Sequence, residues 1–274
     1  YHIISYGCQA NMSDSEHYAG QLEELGYHNT EDLDTADVIL INTCCVRETA
    51  EDKTLGKIGE LKHLKKQNPD LIIAVTGCMA QEWQDKLFKR APHIDLVIGT
   101  HNIHKLIELI RERRSKADHY MAADMTLPAF HDMPVKRFQK FFAWIPIMNG
   151  CNKFCTYCIV PYVRGREVSR PIDAIVEEIK KVAAEGYKEI TLLGQNVNSY
   201  GLDLKDGTDF STLVAAVDDI DGIERVRYMT SHPKDMTFAM IDAIADSKKV
   251  VNHMHLPIQC GSDELLKKMN RGYT

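Results

Sequence analysis

The sequence predicts an α/β protein in two parts, an open doubly wound parallel sheet of flavodoxin-like type followed by a partial β/α barrel. Three observations predict it. Through about the first 114 residues, short apolar runs alternate with stretches that are apolar at helical spacing, the pattern of a parallel sheet with right-handed crossovers. Between about Ser115 and Pro134 that periodicity is lost among Pro128, Pro134, acidic residues and several methionines, as in a linker. Beyond it the alternation resumes as further β-α units, and in barrels of such units the active site lies at the carboxyl ends of the strands. The expected boundaries are residues 1–116, a linker over 117–136, and a second domain over 137–274 cut short at its C-terminus.

In the first domain, His2 to Tyr6 reads as a strand ending at Gly7-Cys8, with Ser13 and Asp14 as helix-capping candidates. Tyr18, Leu22 and Leu25 recur at helical spacing up to Gly26. Val38 to Ile41 is a second strand running into Asn42-Thr43-Cys44-Cys45, and a helix from about Glu48 to Gln67 stops before Pro69. Leu71 to Val75 is a third strand that leads to Thr76-Gly77-Cys78. Helices near Gln81 to Arg90 and Asn102 to Arg114 flank a fourth, Asp95 to Ile98. Cys8, Cys44 and Cys78 thus follow three successive strands, whose ends share one edge of such a sheet. Three thiols converging there suit a metal cluster. Cys45 is read as a bystander, because adjacent residues of an extended chain point to opposite sides.

In the second domain, the apolar strand Phe141 to Ile147 delivers Asn149-Gly150 and the run C-N-K-F-C-T-Y-C, which packs Cys151, Cys155 and Cys158 into eight residues. A set of thiolates selects zinc or an iron-sulfur cluster over hard cations. Closed sites take four protein ligands, so three leave a coordination position open. After the loop, Arg164, Arg166 and Arg170 and the basic stretch Val135 to Lys140 are candidates for phosphate contact. Ile172 to Glu185 reads as a helix, Ile190 to Leu193 as a strand ending in Gly194-Gln195-Asn196, and Phe210 to Val217 as a helix. Val226 to Met229 and Val250 to Ile258 read as two more strands, with helices over Phe238 to Ala245 and from Asp263. Cys260 stands alone and reads as a core or loop residue.

The bulk numbers narrow the class. A chain of 274 residues with eight cysteines, no apolar run of bilayer length and no secretory leader reads as a cytoplasmic protein whose cysteines are ligands or reactive thiols rather than a disulfide framework. A formal charge of -6 argues against nucleic-acid binding by the whole surface and leaves local basic patches open. Neither a Walker A loop nor a G-x-G-x-x-G fingerprint occurs. His101 and His104 read as solvent-facing or capping residues. A start at Tyr1 and a stop just past a helix-like segment read as a fragment.

The spacing Cys-x3-Cys-x2-Cys, with Tyr157 before the last cysteine, resembles the signature of radical S-adenosylmethionine (SAM) enzymes. Over nearly its whole length the chain resembles the methylthiotransferase family among them. Y-G-C-Q-A-N-M-S-D-S-E, I-N-T-C-C-V-R-E-T-A and T-G-C-M-A-Q are similar to that family's amino-terminal domain. C-T-Y-C-I-V-P-Y-V-R-G-R-E-V-S-R-P and L-L-G-Q-N-V-N-S-Y-G resemble the branch that acts on isopentenyl-adenosine in tRNA. The second Cys of N-T-C-C and Cys260, where the family usually has Ser, depart from the pattern without removing a matched ligand.

This resemblance implies two 4Fe-4S clusters, one on Cys151, Cys155 and Cys158 that cleaves SAM to a radical, and an auxiliary one on Cys8, Cys44 and Cys78 that carries sulfur. Two SAM are used per turnover, the second as methyl donor. Tyr157, Gln195 and Asn196 are expected to contact SAM. The implied substrate is a tRNA anticodon loop carrying isopentenyl-adenosine at position 37, methylthiolated at carbon 2, with flavodoxin or ferredoxin as electron donor and no membrane partner. Family members usually add a small C-terminal RNA-binding barrel, and this chain ends before it. The nearest alternatives are a methylthiotransferase for threonylcarbamoyl-adenosine in tRNA or for a ribosomal protein. A different class is a non-catalytic iron-sulfur electron carrier or zinc module, in which Cys45 and Cys260 would complete two four-cysteine sets.

Overall fold

The computed structural model describes residues 1–45, 48–125 and 133–274. The chain forms two compact units, Tyr1–Lys136 with Tyr162–Arg164, and Arg137–Pro161 with Gly165–Thr274.

In the first unit, β1 (His2–Ser5), β2 (Val38–Thr43), β3 (Ile72–Gly77), β4 (Leu96–Ile98) and β5 (Tyr120–Ala122) form one parallel sheet in the order β1-β2-β3-β4-β5. Every residue of β2 and β3 is buried, so these strands read as continuous apolar runs rather than as alternating ones. The helices are α1 (Gln9–Glu24), α2 (Glu48–Glu60), α3 (Lys62–Gln67), α4 (Cys78–Trp83), α5 (Lys86–Arg90) and α6 (Leu106–Ser115). Tyr18 and Leu22 of α1 pack with Leu106 and Ile110 of α6 against Val38, Leu40, Ile72, Ala74 and Leu96.

Several expectations change in detail. A flavodoxin-like sheet has the order 2-1-3-4-5, whereas these strands follow chain order, so the ends of β1, β2 and β3 are direct neighbours. Ser13 and Asp14 lie inside α1, which begins five residues earlier than the capping reading supposed, with Cys8 at its N-cap. The expected helix over Glu48 to Gln67 is interrupted at Leu61, and that over Gln81 to Arg90 breaks at Gln84, whose φ is 48°. The expected linker is not featureless. Tyr120–Ala122 pairs with β4, and the Lys136 amide donates to the Glu16 carbonyl at 2.9 Å. The part of the linker reading that falls on 126–132 lies outside the described residues.

In the second unit, β6 (Phe142–Pro146), β9 (Glu189–Leu193) and β10 (Arg225–Tyr228) form a parallel sheet in the order β10-β9-β6, and β7 (Met148–Asn149) pairs antiparallel with β8 (Val168–Ser169). After the short α7 (Val160–Val163) come α8 (Ile172–Ala184), α9 (Phe210–Asp218), α10 (Phe238–Asp246) and α11 (Asp263–Lys268). Ile145, Ile179, Ile190, Leu192, Leu213, Val217 and Tyr228 lie in one core. The strand expected over Val250 to Ile258 is reduced to one parallel bridge, Val226 to Val250. Pro257 has no N–H to give, and among the described residues no further strand pairs beyond this segment.

Candidate metal centres

In the first unit the register pairs Ser5 with Asn42, Asn42 with Thr76 and Thr43 with Gly77, so the three strands end level. Neighbouring strands lie about 4.8 Å apart, which brings Cys8, Cys44 and Cys78 to one edge within about two strand spacings. Glycines make the approach possible. Gly7 and Gly77 have φ of 125° and 88°, and a Cβ on Gly7 would lie 2.8 Å from the Cys44 Cβ, while one on Gly77 would lie 2.5 Å from the Thr43 carbonyl oxygen. Asn11 and Asn42 lock the edge. Asn11 Nδ2 donates to Asn42 Oδ1 and to the Thr43 carbonyl, both at 3.1 Å, and Asn42 Nδ2 donates to the Asn11 carbonyl at 2.7 Å. Asn11 Oδ1 accepts from the Cys8 amide at 3.3 Å. The pair Cys8-x2-Asn11 is therefore both the capping box of α1 and a built corner of the edge.

Cys45 is not turned away. The strand ends at Thr43, so strict alternation no longer applies, and the buried Cys45 thiol is hydrogen-bonded to Cys78. That bond, together with burial, keeps Cys45 protonated. The same bond draws Cys78 down to about 6, against the effect of burial and with help from the Arg164 guanidinium. Arg164, 5% exposed, pairs with Asp14 at 2.7 Å. Burial opposes its charge, but Asp14, Cys78 and Cys8 outweigh that and hold the guanidinium protonated. Its backbone is tied by the buried His101, whose Nε2 lies 3.0 Å from the Arg164 carbonyl, so His101 is a structural tether rather than a solvent-facing residue.

In the second unit the cysteine loop leaves β7 and is held at its start by Gln195, whose Oε1 accepts from the Gly150 amide at 2.6 Å. The Cys151 amide donates to the Gly165 carbonyl at 3.1 Å and the Cys158 amide to the Cys155 carbonyl at 2.9 Å. Cys151 and Cys155 are buried and Cys158 is half-buried. Burial pushes Cys151 up to about 11, with Glu167 and the other two thiols adding to it, and burial likewise raises Cys158. Tyr157 is 53% exposed beside Cys155.

Next to this loop, Lys153 pairs with Asp235 at 2.6 Å, and Asn196 Nδ2 donates to the other Asp235 oxygen at 2.7 Å. Asn196 Oδ1, Ser231 Oγ and His232 Nε2 are buried with no hydrogen-bond partner. Burial, reinforced by the Arg271 charge, lowers His232 to about 4, so its imidazole is neutral. Unsatisfied polar atoms of this kind call for a polar ligand or ordered water. Among the described residues, no three His, Cys, Asp or Glu side chains converge closely enough to hold a single metal ion. A zinc ion with 2.3 Å bonds draws its sulfurs to about 3.8 Å from one another, whereas the thiols of a four-iron cluster bind separate irons and stand wider. The thiol chemistry and the orphaned polar atoms both fit a cluster with a polar cofactor beside it.

The three arginines do not behave alike. Arg164 is withdrawn from solvent, and Arg170 donates to the Pro146 carbonyl at 2.6 Å and to Glu178 at 2.7 Å, so neither is offered to a phosphate. Arg166 is exposed, with its guanidinium 4.2 Å from the Phe154 ring centre. In the basic stretch, Lys136 pairs with Glu23 and Arg137 with Glu178. Sequence reasoning missed Asn11, Lys153, Asp235, His232 and Arg271. Only Asn11 and Lys153 carried a signal, being within three residues of a triad cysteine.

Residues 1–99 match the family described as uncharacterized protein family UPF0004, and residues 145–274 match the radical SAM superfamily. The whole chain is 52% identical to a tRNA-2-methylthio-N(6)-dimethylallyladenosine synthase from Pelotomaculum thermopropionicum and covers 62% of it. It is 53% identical to the protein of the same name from Desulforamulus reducens, covering 61%. The chain thus spans about three fifths of the length of these curated relatives. Among solved structures, the radical SAM methyltransferase TsrM from Kitasatospora setae matches 97% of this chain and is itself covered over 60%, with TM-score 0.64 and 14% identity, a likeness of fold alone. Radical SAM enzymes use a 4Fe-4S cluster and S-adenosylmethionine, and the loop of the second unit carries the thiols such a cluster needs. In chain order, then, this protein resembles an UPF0004 domain over residues 1–99 and a radical SAM domain over residues 145–274.

Proposed function

We propose that this chain forms the catalytic part of a tRNA methylthiotransferase that converts isopentenyl-adenosine at position 37 into its 2-methylthio derivative in the cytoplasm. The observation that carries the reading is the pair of cysteine triads, one at the carboxyl ends of three parallel strands of the first unit and the other in the single loop that leaves β7 in the second. The curated relatives, named for this product, support it. A ring C–H cannot be usefully deprotonated by side chains, so the two 4Fe-4S clusters and two SAM per turnover supply the radical, the sulfur and the methyl group.

The chain's own residues hold and orient. Cys151, Cys155 and Cys158 would hold the cluster at which SAM is cleaved, and Cys8, Cys44 and Cys78 the auxiliary one. Gln195 pins the cysteine loop to the end of β9, and Asn196, Ser231 and His232 offer buried hydrogen-bonding atoms to a polar cofactor. Tyr157 presents an exposed ring beside Cys155 for stacking. Arg166, the exposed one of the three arginines, would be the one to meet a phosphate, and the anticodon loop presents its base unpaired. A small electron carrier such as flavodoxin or ferredoxin would provide the reducing electrons.

The test is anaerobic iron and sulfide content with Mössbauer spectra, followed by nucleoside analysis of isopentenylated tRNA. Wild type should hold about eight irons, and Cys151→Ala/Cys155→Ala/Cys158→Ala and Cys8→Ala/Cys44→Ala/Cys78→Ala about four each. Both variants should make no methylthio product, with only the second still cleaving SAM. Zinc, or four irons in the wild type, would remove the sulfur-donor role from the first unit.

A further inference from the structure

Three residues beyond α11, Arg271 is 5% exposed, and its three nitrogens are all engaged. Nη1 donates to Cys155 Sγ at 3.3 Å, Nη2 to the Pro257 carbonyl at 2.8 Å, and Nε to the Tyr273 hydroxyl at 3.4 Å. Among the described residues no carboxylate pairs with it. A guanidinium taken out of water needs an electron-rich partner, and the side-chain group facing it besides the Tyr273 hydroxyl is the Cys155 sulfur.

The residues just before it brace the same loop. The Thr156 amide donates to the Met269 carbonyl at 3.2 Å, and Thr156 Oγ1 to the Lys268 carbonyl at 3.3 Å. Asn270 Nδ2 donates to the carbonyls of Lys153 and Phe154 at 3.3 and 3.0 Å. The segment from Lys268 to Arg271 is therefore a strap, with backbone-directed bonds along its length and one fixed charge at its end. The charge falls on a sulfur. The other nearby cation of the loop, Lys153, is already committed to Asp235.

We propose that Arg271 is a positioning residue for the second-unit cluster: it fixes the Cys155 sulfur for iron and, through its charge and hydrogen bond, raises the reduction potential of the cluster that the triad holds. This rests on the reading of that triad as an iron-sulfur site. Hydrogen bonds to cluster sulfurs and the net charge around them tune the potential, and a cation favours the reduced, more negative state. In the enzyme proposed above, a higher potential eases electron entry from a weak carrier. The rest of the strap contributes geometry without charge.

The test uses the full chain, reconstituted anaerobically with Cys8→Ala/Cys44→Ala/Cys78→Ala as background so that one cluster is observed. Iron content and an EPR-monitored redox titration are measured for the background protein, Arg271→Gln, Arg271→Lys and Asn270→Ala. The expected result is a midpoint shifted to more negative potential in Arg271→Gln, with Arg271→Lys and Asn270→Ala close to the parent. Should Arg271→Gln lose its iron, Arg271→Lys decides, and retention of iron and midpoint there supports the role of the charge. An unchanged midpoint in iron-replete Arg271→Gln, an equal shift in Asn270→Ala, or iron loss in both Arg271 variants overturns it. A parent protein with zinc or no redox-active iron instead refutes the underlying cluster reading and leaves the signature distinct from any of these.

Discussion

A buried charge is costly unless it is paired, and Arg164 meets that cost with Asp14 on one side and the Cys78 thiol on the other. Removing one member of such a set leaves the rest uncompensated. Arg164→Gln is expected to destabilise the chain by about 3 kcal/mol in denaturant unfolding and, with the auxiliary cluster proposed above, to lower the iron content on reconstitution. Asp14→Asn/Arg164→Gln should recover part of that loss, since both charges leave together; a double variant less stable than Arg164→Gln would contradict the pairing. The six triad cysteines stand out in the sequence by type and spacing, which is what makes them candidate ligands. Arg164 does not. In R-G-R-E it sits two residues from the exposed Arg166, and nothing local distinguishes an inward guanidinium from an outward one. Arg271 is still less legible, since the sulfur it meets is 116 residues away in sequence.

At the scale of elements, the strand-to-helix corners set where the cysteines stand, and Gly77 is closed in by backbone at one of them. Its φ of 88° disfavours any L side chain, and an added Cβ would stand 2.5 Å from both the Thr43 carbonyl oxygen and Asn42 Oδ1. Gly77→Ala is therefore expected to cost about 3 kcal/mol in denaturant unfolding and to displace Cys78 enough to lose first-unit iron. A change under about 0.5 kcal/mol would show that the corner relaxes freely. Strands β2 and β3 were plain in the sequence as unbroken apolar runs. The three-residue β5 was hidden, because Y-M-A has no period of its own and is a strand only through pairing with β4. Val250 to Ile258 failed in the opposite sense: apolar enough for a strand, it has a single bridge to hold it.

At the scale of the whole molecule, the second unit is tied together by carboxylates whose ionised forms the fold favours. Burial works against Glu178, but Arg170 and Arg137 outweigh it and hold its carboxyl below the ordinary range. Burial likewise opposes Glu189 and Asp218; Arg225 and Arg227 reverse it for the first, and the Ser247 hydroxyl with the amides of Lys248 and Lys249 for the second. Each group binds fewer protons folded than unfolded, so its contribution is complete above the ordinary carboxylate value and disappears as pH falls through the lower folded value. Glu189 counts least, because its arginines are about half exposed and screened. The two tryptophans separate the units, Trp83 lying in α4 and Trp144 in β6. In a Trp83→Phe background, the Trp144 fluorescence transition in denaturant should move to lower denaturant as pH drops from about 5 to about 3. Adding Glu178→Gln should lower the transition at pH 7 and flatten its dependence on pH, because a titrating partner of two arginines has been removed. If the slope with pH were as steep in that variant as in its parent, acid sensitivity would have to come from other carboxylates, and Glu178 would not be the tie between the two arginines that the structure makes it.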